Sequence, residues 1–177
     1  YTCNNADSTV TDKLARKYKV HSDEVAFTRA HTKSELKFTL PGPMTICDTI
    51  ADEHYGNRAD MAMAFAELLN QEARELAALG VDLIQFDEPA FNVFTEDVKE
   101  WGIAALHKAI EGLPCKTAVH ICYGYGIQEN IDWKKSLGSE WRQYEEIFPA
   151  INQSGIDQVS LECANSKVPM SLIGLLK

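Results

Sequence analysis

No CxxC pair occurs in this 177-residue chain, and its five cysteines (Cys3, Cys47, Cys115, Cys122, Cys163) are odd in number and irregularly spaced. That pattern excludes a disulfide framework and a zinc ribbon, and it predicts a reducing compartment, the cytoplasm. Long apolar runs are lacking too: none approaches the roughly 20 residues that span a bilayer. The opening YTCNNADSTV has neither the basic nor the apolar region of a signal peptide. It also has no initiating methionine, as expected of a chain whose first residues are missing. Positive charge is scarce, with 17 Lys and Arg against 26 Asp and Glu and a net charge of −9. Phosphate backbones and anionic headgroups do not attract such a surface, so neither nucleic acid nor a membrane is an expected partner. Internal repeats and low-complexity segments are absent. The glycines of YGYG, Gly124 and Gly126, are too few and wrongly placed for a phosphate loop, whose glycines precede a helix.

What the chain does have is the make-up of an ordinary globular domain, 45% apolar and 24% charged. Strand-like and helix-like stretches alternate along it. Residues 35–43 (ELKFTLPGP) predict a strand ended by Pro41-Gly42-Pro43. Residues 59–80 predict a helix, with apolar residues at 61, 65, 68, 69, 73, 76 and 79 and Gly80 at its stop. VDLIQF (81–86) predicts a second strand, followed by a helix from Glu96 to Glu111. KTAVHIC (116–122) predicts a third strand, followed by a polar, glycine-rich connection over 123–139. EWRQYEEIFPAINQSG predicts a helix kinked or ended by Pro149, and IDQVSLE (156–162) a fourth strand.

This alternation predicts βαβ units and a parallel sheet. The strand starts lie 46, 35 and 40 residues apart. Eight such units would need roughly 320 residues, so the expected fold is about half of a (β/α)₈ barrel or an open sheet of few strands. The expected organisation is one partial barrel domain, with a helical and loop segment over 1–34 and βα units over 35–165.

Residues two apart in a strand share a face. Val81, Leu83, Gln85 and Asp87 therefore lie together, as do Ala118, His120 and Cys122, and Gln158, Ser160 and Glu162. All three strands carry titratable groups at their carboxyl ends, where parallel α/β folds bind ligands. His120 and Cys122 emerge about 6–7 Å apart at the Cα level. An imidazole and a thiolate favour zinc over magnesium or calcium, and Glu162 offers a carboxylate oxygen. A histidine and a cysteine packed in a strand without metal is the competing reading. Asp87 either caps the following loop or presents its carboxylate to a cationic substrate group. Glu88 points the opposite way if the strand continues. Cys163 is expected on the helical side, Cys47 and Cys115 as buried small residues, Cys3 as a terminal thiol and His54 as an exposed loop residue.

Taken in order, LPGPMTI, GVDLIQFDEPAF, VHICYG and VSLE resemble the C-terminal catalytic barrel of the cobalamin-independent methionine synthase family, above all its short core-type members. The resemblance implies a (β/α)₈ barrel that methylates homocysteine with zinc, and zinc ligands at His120, Cys122 and Glu162. It implies that Asp87 holds the homocysteine amino group. It places a fourth, cysteine ligand and a catalytic histidine beyond Lys177. The tryptophan that long members carry after GPxTI is replaced here by CDTIADEHY, so the implied methyl donor is either a methyltetrahydrofolate or a methylcorrinoid. A metal-free lyase or decarboxylase of a related barrel, with Asp87 and His120 as acid–base groups, is the competing enzyme class. A zinc-binding chain that does not turn over is the non-enzyme reading.

Overall fold

The computed structural model describes residues 8–124, 128–164 and 166–177. Cys3 and Gly126 lie outside them. The described residues form six strands: β1 (Thr9–Val10), β2 (Lys37–Pro41), β3 (Ala51–Asp52), β4 (Leu83–Asp87), β5 (Lys116–Ile121) and β6 (Gln158–Leu161). β2, β4, β5 and β6 form one sheet in that order, every pair parallel, while β1 and β3 form a small parallel pair apart from it. The main strands thus stand in consecutive order. Right-handed crossovers in one direction then carry the connecting helices to one face.

That face holds the core. Ile84, Phe86, Val119 and Ile121 are fully buried beneath α3 (Arg58–Ala78), α5 (Ile103–Ile110) and α7 (Gln143–Ile151). α3 starts where the Asn57 side chain accepts the Ala59 N–H at 2.8 Å. It buries Ala62, Ala66, Leu69, Ala73 and Leu76 in alternating steps of four and three, the stripe that faces a core. It ends at Gly80, whose φ of 98° lets Val81 N–H turn back to the Leu76 carbonyl at 3.2 Å. On the same helix Glu72 is buried. It accepts the Arg16 guanidinium and the Val20 and His21 N–H groups, tying the preceding loop down.

Several local expectations shift. Pro41 is the last residue of β2 rather than its terminator, and Pro43 opens α2 (Pro43–Thr49) at the first-turn position that needs no N–H. α1 (Ser22–His31) occupies the N-terminal segment. The helix predicted over 96–111 is assembled from α4 (Thr95–Asp97), a π-helical turn (Val98–Gly102) and α5. The connection after β5 contains a further helix, α6 (Gln128–Ser136). Pro149 lies inside α7, two residues from its end. Cys115 is half-buried rather than buried.

Candidate active site

The register decides which side chains meet. Asp87 stands opposite His120, and His120 opposite Ser160, in one row across β4, β5 and β6. Two residues on, the chain leaves both strands together: Glu162 N–H donates to the Ile121 carbonyl at 3.2 Å, which sets Glu162 beside Cys122. The four residues singled out from the sequence therefore share one carboxyl edge, on the face opposite the aliphatic core. All four are half-buried.

Their side chains are held by specific partners. Ser160 Oγ lies 3.0 Å from His120 Nδ1, fixing the ring and leaving Nε2 as its second nitrogen. Glu162 Oε2 accepts the Tyr123 N–H at 2.8 Å, and Cys122 Sγ accepts the Gly124 N–H at 3.4 Å. Gln85 Nε2 donates to Asp87 Oδ1 at 2.7 Å, and Gln85 Oε1 is buried without a partner among the described residues. Burial pushes the Cys122 thiol pKa up, and the Glu162 and Asp87 carboxylates add to this; the Gly124 N–H and Lys134 oppose it. Among the described residues, no three His, Cys, Asp or Glu side chains are gathered as a ready-made metal cluster. The backbone brings His120, Cys122 and Glu162 to one edge, while the Glu162 carboxylate is turned to the Tyr123 amide.

Main-chain bracing holds this edge. The Tyr144 hydroxyl, from α7, donates at 2.9 Å to the Ile121 carbonyl and lies 3.1 Å from the Glu162 carbonyl, spanning the ends of β5 and β6. Tyr123, fully buried directly after Cys122, packs against Trp133, Trp141 and Tyr144 at centroid distances of 5.9, 4.8 and 5.5 Å. Asn92 donates to the Cys122 carbonyl at 3.0 Å. Glu88 is fully buried just past β4. Burial pushes its carboxyl pKa up to about 7, against the Thr45 hydroxyl and the Met44 and Thr45 amides, which pull it down. His54 is exposed. Cys47, Cys115, Cys122 and Cys163 are all free thiols.

Strand alternation places Gln85 and Ser160 on the faces of Asp87 and Glu162 but gives them no role, and it turns Glu88 away from the site. Tyr144 is the residue that sequence reasoning missed, and no local pattern marks it or the partners of Glu88. A cleft of about 770 Å³ lies at the opposite, amino-terminal edge, lined by residues such as Glu35, Asp82, Lys116 and Asp157, and holds none of the four candidates. Among the described residues, no helix is long and apolar enough to cross a membrane.

Residues 3–174 match the family model described as cobalamin-independent synthase, catalytic domain. A methionine synthase of Sulfolobus acidocaldarius is 32% identical over 157 residues, covering 88% of this chain and 41% of the relative. One from Saccharolobus solfataricus is 31% identical over 167 residues, covering 93% and 44%. The solved structure of a B12-independent methionine synthase from Shewanella sp. W3-18-1, in complex with selenomethionine, is 58% identical with a TM-score of 0.91. The match covers 95% of this chain and 49% of that one. The chain thus spans less than half the length of each of these three proteins, in line with the partial parallel α/β barrel predicted from strand spacing.

Proposed function

Since the chain belongs to the cobalamin-independent synthase catalytic family, we propose that the full-length protein transfers a methyl group to the thiol of homocysteine, forming methionine, with zinc held by His120, Cys122 and Glu162. The observation that carries this reading is the shared carboxyl edge. An imidazole, a thiol and a carboxylate stand on adjacent strand ends, with the Asp87 carboxylate one strand away. The Shewanella relative's complex with selenomethionine, a close analogue of the expected product, supports it.

The residues fit zinc by donor type, two nitrogen and sulfur ligands with one oxygen. They also fit by charge: a half-buried thiol beside two carboxylates is a poor place for an isolated thiolate and a good one for a divalent cation. His120, with Ser160 at its Nδ1, and Glu162, which accepts the Tyr123 amide through Oε2, would hold the ion together with Cys122. Zinc bound there would supply homocysteine as a thiolate at neutral pH, where a free thiol near pKa 8.5 is mostly protonated.

Asp87 accepts the substrate ammonium, and Gln85 holds the Asp87 carboxylate so that one oxygen stays turned to the ligand. With the amino end of the substrate held at Asp87, its thiolate sulfur attacks the methyl carbon. The new S–C bond forms as the donor atom leaves with the old bonding pair. The donor is a methyltetrahydrofolate or a methylcorrinoid, and the expected setting is the cytoplasm. Cys122→Ser in the full-length protein is expected to abolish both zinc retention and homocysteine methylation. Normal activity in that variant would sink the zinc assignment.

A further inference from the structure

Glu88 has no role in the chemistry above, yet it is fully buried, and among the described residues its carboxylate accepts from the amides and the hydroxyl of one distant turn. Oε1 accepts the Met44 N–H at 3.0 Å; Oε2 accepts the Thr45 N–H at 2.9 Å and the Thr45 hydroxyl at 2.6 Å. Met44 and Thr45 are the second and third residues of α2, whose N-cap position is Gly42 and has no side chain to cap with. A carboxylate from 44 positions along the chain therefore does the capping. Gly42 is required for this. Its φ of −79° suits any residue, but a Cβ there would collide with the Glu88 carboxyl group.

The backbone on either side of the clamp reaches both halves of the site. Gly42 N–H donates to the Asp87 carbonyl at 2.8 Å, and Glu88 N–H donates to the His120 carbonyl at 2.8 Å. The clamp thus joins the β2–α2 turn to the ends of β4 and β5. We propose that Glu88 is a positioning residue for substrate: by gripping the first turn of α2 it fixes the Asp87 backbone, and so the direction in which the Asp87 carboxylate meets the substrate amino group. This rests on the reading that Asp87 binds homocysteine.

The test uses the full-length, zinc-loaded protein, with homocysteine as the probe in calorimetry and in steady-state kinetics. Glu88→Gln keeps the shape but turns an NH2 group toward an N–H donor. It is expected to weaken homocysteine binding about tenfold, the low end of effects seen when outer-shell partners are removed. Thr45→Val removes only the hydroxyl donor and is expected to weaken binding about threefold. Thr45→Ser, which restores that donor, should bind as the parent does. Zinc content, kcat at saturating homocysteine and KM for the methyl donor should hold in all three. A purely structural carboxylate would instead lower all the constants together. If Glu88→Gln does not fold, Thr45→Val decides. Parent-like homocysteine binding in the folded variants, or an equal shift of the donor KM, overturns the proposal. Should the parent itself bind no homocysteine, the functional reading fails and this inference falls with it; parent binding that the variants share overturns this inference alone.

Discussion

Asp87→Asn removes a negative charge and almost no volume, so its effect reports on charge and hydrogen bonding at one atom. The lost interaction is a hydrogen bond between a carboxylate and an ammonium, the class worth about 1.5–3 kcal/mol. As long as Gln85 Nε2 donates to Oδ1, at 2.7 Å here, an asparagine keeps its oxygen on that side. Its NH2 group then replaces the outward oxygen, and a donor faces the substrate's own N–H donors. Asp87 is only half-buried, so water softens this conflict. Together these place the loss at about 1.5–3 kcal/mol, a rise in homocysteine Kd of roughly 10- to 150-fold. Calorimetry on the zinc-loaded full-length protein reads it directly, and metal analysis should show zinc unchanged, since Asp87 is not a ligand. A Kd within about twofold of the parent, or zinc lost in parallel, would refute the reasoning.

Other outcomes follow from the same contacts. Ser160→Ala leaves His120 Nδ1 without its hydroxyl and should lower zinc affinity about tenfold in chelator competition; unchanged affinity would mean that the ring is set by packing alone. Tyr144→Phe should cost about 1 kcal/mol in denaturant unfolding, at the mild end for a buried hydroxyl. The reason is that the Ile121 carbonyl keeps the Glu162 N–H at 3.2 Å and the Glu162 carbonyl keeps the Ser166 hydroxyl at 3.2 Å. A loss above about 3 kcal/mol would show that those second partners do not compensate. Leu76→Ala, fully buried in α3, should cost about 2–5 kcal/mol with the zinc site intact, and loss of zinc in the folded variant would contradict the separation of core from edge.

How far the sequence carried these readings depends on how local each cause is. Strand alternation is a two-residue rule, and it placed Asp87, His120, Cys122 and Glu162 on one face before any register was known. The register that sets Asp87 opposite His120 joins positions 33 apart, and no single strand encodes it. α3 is legible because its buried stripe repeats over about four turns, whereas α6, QENIDWKKS, buries only Asn130 and offers no apolar period to read. Pro43 was read as a breaker although its missing N–H suits a first helical turn. Glu88 was set aside because alternation pointed it away from Asp87. Its direction was right, but its partners lie in a turn more than 40 residues back, which no periodicity could reveal.

The alternation along β5 and β6 also bears on how such a chain can change. Val119, Ile121, Val159 and Leu161 belong to the packed side, and His120, Cys122, Ser160 and Glu162 to the other. Fold and the proposed reactivity are therefore written on interleaved positions of the same short segments. A library randomised at 120, 122, 160 and 162 should yield mostly folded proteins with altered metal preference, whereas the same diversity shifted by one residue should yield mostly unfolded ones. A scaffold organised this way can exchange its chemistry in single steps without first rebuilding its interior.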